Sequence, residues 1–149
     1  MNKLIINTSI TIRKPIQEVF DAIVNPEKMV HYFISESSGK MESGKVIQWK
    51  FPEFEIVFPI KVLQVVENQL ISYSWEINNQ DLTVEIKLEE KSNQHTLIQI
   101  SEAEMDNNEQ GINWLKGNTE GWANFLACLK AYLEFGINLR TGSFEHKKI

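Results

Sequence analysis

The chain has 149 residues, 42% of them hydrophobic and 23% charged, which suits one globular domain over residues 1–149 with a sizeable core and is too short for two. A formal net charge of -5 argues against nucleic acid and anionic membrane surfaces as main partners, because both reward clustered Lys and Arg. The single cysteine, Cys128, excludes an intrachain disulfide and fits a reducing, cytoplasmic setting.

The first element expected is a strand over residues 3–12, β-branched and bounded by Lys14-Pro15. At the N-terminus, Asn7, Thr8 and Ser9 interrupt what would be a signal peptide's apolar centre, and no apolar run approaches a membrane span. Pro15 suits the first turn of a helix, on which Ile16, Val19, Phe20 and Ile23 recur at helical spacing. Asn25-Pro26 ends that helix and opens a second, short one, with Asn25 as cap and Met29, Tyr32 and Phe33 on its apolar side. The stretch SESSGKMESGK reads as a loop or an edge hairpin.

The period then changes from helical to two. Ile47, Trp49 and Phe51 alternate with polar residues, and Phe54, Ile56, Phe58 and Ile60 continue beyond a Pro52-Glu53 turn. Ile71, Tyr73 and Trp75 form the next set, Leu82 to Leu88 the one after, and Leu97 or Ile98, then Ile100, the last. The joints Asn68-Gln69, Asn78-Asn79 and Ser92-Asn93 are short, so these strands pair as antiparallel hairpins with one face covered. The acidic stretch SEAEMDNNEQG reads as a solvated loop, except for Glu102, which period two turns inward if Ile98 and Ile100 point inward.

The segment TEGWANFLACLKAYLEFG, residues 119–136, reads as the long closing helix, capped by Asn118 or Thr119 and ended by Gly136. Trp122, Phe125, Leu126, Leu129, Tyr132 and Leu133 form one apolar stripe, while Asn124, Lys130 and Glu134 lie off it. Cys128 sits off the main stripe and reads as a small buried apolar residue. The tail TGSFEHKKI reads as a frayed end. Strands grouped together, with helices at both ends, make an α+β fold of about six or seven strands. Large rings then face large rings across the sheet, and periodicity alone leaves open whether they fill a core or line a cavity.

No HExxH or CxxC spacing, Gly-rich phosphate cradle or G-x-S-x-G elbow is present, so neither a metal nor a cofactor is expected. His95 and His146 read as solvated, in a hairpin turn and in the tail, and Glu76 as water-facing.

Several motifs in order resemble a known family. They are Pro15, Val19-Phe20, Asn25-Pro26-Glu27 and Tyr32-Phe33; then Gly44-Lys45-Val46 and KVLQVVENQLISYSWE; and finally Gly121-Trp122 with Leu126, Leu129 and Leu133. Together they resemble the START-like, helix-grip superfamily (SRPBCC), within it the group related to the activator of the ninety-kilodalton heat-shock protein's ATPase. The resemblance spans nearly the whole chain. Two positions depart from it: Tyr32 or Phe33 stands where the family often has Trp, and Ser38-Gly39 and Ser43-Gly44 replace a Gly-rich turn.

The resemblance implies a curved antiparallel sheet gripping the C-terminal helix, with a cavity between them that in many relatives holds an apolar small molecule. The expected wall is Trp49, Phe58, Tyr73 and Trp75 from the strands and Trp122, Phe125, Leu126 and Leu129 from the helix, with Tyr32 and Phe33 at the entrance. A lipid-like or aromatic ligand is the leading expectation. An enzyme of the polyketide cyclase or dehydratase type is the alternative, with Glu102, Tyr73 and His31 as its only nominees. A co-chaperone-like interaction domain is the third reading, and a homodimer and a chaperone are the protein partners left open.

Overall fold

The computed structural model describes residues 2–147. Strand β1 (Lys3–Ile12) leads into helices α1 (Ile16–Val24) and α2 (Pro26–Met29). Six strands follow: β2 (Glu36–Ser37), β3 (Val46–Lys50), β4 (Val57–Val66), β5 (Leu70–Ile77), β6 (Gln80–Ser92) and β7 (His95–Asp106). The long helix α3 (Glu109–Phe135) and a 3-10 turn, Glu145–Lys147, close the described chain. All seven strands join one antiparallel sheet in the order β1-β7-β6-β5-β4-β3-β2. This is the α+β helix-grip arrangement.

Local chemistry accounts for the joints. The Asn25 side chain accepts from Glu27 N at 3.0 Å and Pro26 takes the first helical position, so α2 starts where α1 stops. Asn78 and Asn79 both hold positive φ, 53° and 62°, which is what a two-residue hairpin between right-twisted strands requires. Register shifts in β1, β4 and β6 mark bulges, which bend a sheet around what it covers.

Period two then sorts the side chains. Ile6, Ile12, Ile47, Trp49, Ile60, Val62, Tyr73, Val84, Ile98 and Ile100 are buried on the inner face, where α3 lays Trp122, Phe125, Leu126 and Leu129 over them. Cys128 is buried as well, and burial pushes its thiol up from its ordinary value, which suits a packing residue rather than a nucleophile.

Four boundaries differ from the sequence expectation. α2 ends at Met29, so Tyr32 and Phe33 follow it in a turn instead of lying on its apolar side. α3 begins at Glu109, ten residues before the expected start, with Asn108 as its cap accepting from Gly111 N at 2.8 Å. Gly111, Gly117 and two asparagines lower the helix propensity of this stretch by up to about 1 kcal/mol per glycine, but burial of Trp114 overrides them. Gly111 also has a positional reason: a Cβ there would lie 1.9 Å from the Asp106 carbonyl oxygen.

The acidic stretch is not a loop throughout. Residues to Asp106 continue β7, pairing Ile6 with Glu102 and Leu4 with Met105, and Lys3 forms an ion pair with Asp106. In contrast, Phe54 and Ile56 belong to a loop before β4, where Phe54 N donates to Phe51 O at 3.2 Å.

The tail is docked as far as residue 147. Lys147 pairs with Glu120 at 2.7 Å and Arg140 stands 5.0 Å over the Phe144 ring, whereas residues 148 and 149 lie outside the described part.

Glu134 fastens the end of α3 to the end of β1. Its side chain is 3% exposed and accepts from Arg13 N and Arg13 Nε, both at 2.9 Å, and from Lys130. Burial acts to raise this carboxyl, but these donors and the two cations outweigh it and hold it at about 2, against an ordinary 4.5. The fold therefore favours the carboxylate. Its stabilisation is complete above pH 4.5 and is lost as pH falls toward 2. In thermal melts across that window, Glu134→Gln is expected to lose less stability on acidification than the wild type. Parallel pH profiles would contradict this assignment.

Candidate functional site: an aromatic cavity under the closing helix

A cavity of about 310 Å3 lies between the sheet and α3. Phe58 on β4 and Trp75 and Ile77 on β5 form its sheet side, and the loop after β3 adds Phe51 and Phe54. Phe33, after α2, stands on the same wall. α3 contributes Asn118, Gly121 and Trp122, spaced three and four residues apart and so on one helix face. Arg140, from the segment beyond α3, completes the lining. A wider hollow of about 660 Å3 lies at the start of α3, lined by Asn78, Asn108, Glu109, Gln110, Asn113 and Trp114, and is an open surface depression. The smaller cavity is lined mainly by aromatic and other apolar side chains.

The rings hold one another edge to face. Phe33 meets Phe51 at 5.2 Å and 75°, and Phe51 meets Phe58 at 5.4 Å and 77°. Trp75 and Trp122, from opposite sides, stand 6.1 Å apart. Such pairs are favourable beyond the area they bury and leave few rotamers free, so the wall is pre-formed.

Glu102 lies directly behind this wall. It is completely buried and accepts three hydrogen bonds: from Trp75 Nε1 at 2.8 Å, from Trp122 Nε1 at 2.9 Å and from Asn118 Nδ2 at 3.2 Å. All three donors line the cavity. A buried carboxylate is costly unless hydrogen-bonded, and here the bonds double as struts that tie the sheet wall to the helix wall.

The open side is organised by a largely buried charge pair. Arg140 donates from Nε to Glu53 Oε2 at 3.4 Å and from Nη2 to Glu53 Oε1, with side-chain exposures of 15% and 6%. Its guanidinium stands 5.9 Å from the centres of both the Phe33 and Phe51 rings.

Of the residues expected from the sequence, Phe33, Phe58, Trp75 and Trp122 line the cavity. Tyr32, Trp49, Tyr73, Phe125, Leu126 and Leu129 are buried and pack behind it. Tyr32 donates to Ala22 O at 2.7 Å, and Phe125 stands 4.7 Å from Phe33. The lining residues not anticipated are Phe51, Phe54, Ile77, Asn118, Gly121 and Arg140. Phe51 carried a signal, since it continues the period of Ile47 and Trp49. Arg140 and Glu53 carried none, being 87 residues apart in the chain.

Of the three catalytic nominees, Glu102 and Tyr73 lie buried on the same face of the sheet, flanking Val84, and His31 stands apart from them. Tyr73 is buried and its hydroxyl makes no hydrogen bond to a described residue, Glu102 included. Burial, then the charge of Glu102, pushes the Tyr73 phenol well above its ordinary value. His31 is exposed, stacked on Tyr132 at 5.4 Å. Among the described residues no cluster of three or more His, Cys, Asp and Glu could hold a metal, and no helix is long and apolar enough to cross a membrane.

Residues 13–134 match the family described as Activator of Hsp90 ATPase homolog 1-like protein. The chain belongs to that family. It is 34% identical to the crystallised protein SSP2350 from Staphylococcus saprophyticus, over 92% of this chain and 96% of that one, with a TM-score of 0.78. The fold is shared at lower identity with the Aha1 dimer from Colwellia psychrerythraea (20% identity, 89% of this chain and 98% of that one, TM-score 0.76). It is shared too with DynU16, a protein of the dynemicin biosynthetic locus (19% identity, 90% of this chain and 48% of that one, TM-score 0.79). No curated protein matches.

Proposed function

We propose that the protein reversibly binds a small, largely apolar molecule in the cavity under α3. The single observation that carries this reading is the wall itself, six aromatic rings enclosing about 310 Å3. That volume equals roughly ten water molecules at about 30 Å3 each, and falls at the small end of ligand sites. A two-ring organic molecule fits it better than a long-chain lipid. Since Glu102 is engaged by three donors and screened by the residues it holds, the site is equipped to hold a ligand rather than to transform one.

Thermal melts against a panel of one- to three-ring aromatic and branched apolar compounds test this. A ligand at about 100 times its Kd adds roughly 2.7 kcal/mol, which for a chain of this size raises Tm by about 5–10 °C. The same compound is expected to change the fluorescence of Trp75 and Trp122, which face it. A panel that leaves both Tm and fluorescence unmoved would remove the support for a binding module.

A further inference from the structure

We infer that the ligand is an acid: its apolar body lies among the rings and its carboxylate, or a similar monoanionic group, is received by Arg140. This rests on the binding role proposed above and names the chemical class that the site selects.

Among the described residues, Arg140 is the only charged side chain on the cavity wall. A largely buried ion pair is a poor way to stabilise a fold, because desolvation of both charges offsets their attraction and apolar residues would do as well. Its placement over the rings of Phe33 and Phe51 is instead suited to presenting a guanidinium to the cavity. Glu53 is bonded through Nε and Nη2 only, and Nη1 makes no hydrogen bond to a described residue. One edge of the planar fork is thus fixed by Glu53, and N–H donors remain for a second anion, a use to which arginine is better matched than lysine.

The opposite end of the site sets the orientation. Glu102 carries a buried negative charge that meets indole and amide N–H groups but no cation among its hydrogen-bond partners. An anionic group pointing inward would approach that charge, whereas one pointing outward meets Arg140. The field across the cavity therefore favours a ligand that enters body first and keeps its acid group at the open side.

The test is calorimetric titration with a matched pair, 2-naphthylacetic acid and 2-naphthylacetamide, which share size and shape and differ in charge at neutral pH. The wild type is expected to prefer the acid by about tenfold. In the double variant Arg140→Gln with Glu53→Gln, which leaves no unpaired buried charge, the preference falls to about one. In Glu53→Gln alone it rises above the wild-type value, because the guanidinium has lost its competing carboxylate. Equal binding of acid and amide by the wild type, or a preference that survives in the double variant, overturns the assignment of Arg140. Binding of neutral compounds from the panel without the acid does the same while leaving the binding role intact. If nothing binds, both fall together.

Discussion

Replacing Glu102 by alanine is expected to cost about 3 kcal/mol of stability and to lower Tm by roughly 5–10 °C. The substitution removes the shared acceptor of Trp75 Nε1, Trp122 Nε1 and Asn118 Nδ2 at once. Each buried donor left without a partner costs about 1–3 kcal/mol, and the part that reaches water through the cavity costs less, so the sum falls short of three full penalties. Glu102→Gln should fall between: its amide oxygen keeps the donors of one carboxylate oxygen, either Trp75 or Trp122 with Asn118, while its NH2 group faces those of the other. An exposed residue two positions on gives the control, since Glu104→Ala should stay within about 0.5 kcal/mol of the wild type. Urea midpoints read at constant m decide the matter. If Glu102→Ala and Glu104→Ala unfold at the same midpoint, Glu102 is not the strut between sheet and helix.

Gly121→Leu is expected to separate stability from binding. Gly121 is helical, exposed and on the cavity lining, and a Cβ built there meets nothing within 4 Å. Leucine in place of glycine within a helix gains about 1 kcal/mol, which raises Tm by roughly 2–4 °C. The added carbons occupy the open side of the cavity, so the affinity for any compound that shifts the wild type is expected to fall by about tenfold or more. A variant that is both stabilised and fully competent to bind would mean that the ligand site lies elsewhere.

What was legible in the sequence followed from period and punctuation. The alternation of Ile71, Tyr73 and Trp75 with serines, and the Asn78-Asn79 joint, are sufficient to place β5 against β6, and the residue order from Pro15 to Trp122 carries the family. The inward turn of Glu102 was legible for the same reason, although its burial and its partners were not: Trp75, Asn118 and Trp122 are brought to it by tertiary folding alone. Ring size proved a weak guide to which aromatics line the cavity. Trp49 and Tyr73 share a face with Trp75, yet both are fully buried, with Trp49 5.2 Å from Tyr73 in the layer behind. Local pattern gives the face of a strand but not the depth of a side chain on it. The Arg140–Glu53 pair joins two irregular segments, where no periodicity operates, and the early start of α3 depends on burial of Trp114 against weak local propensity.

The claim that the cavity holds an apolar molecule is tested most directly by native mass spectrometry of the purified protein, before and after denaturation and solvent extraction. A discrete excess mass is expected on the native protein and should disappear on extraction, with the extracted molecule small, largely apolar and acidic. A native protein that carries no excess mass, and that acquires none on incubation with 2-naphthylacetic acid or the apolar panel, would contradict it and leave the aromatic wall as packing alone.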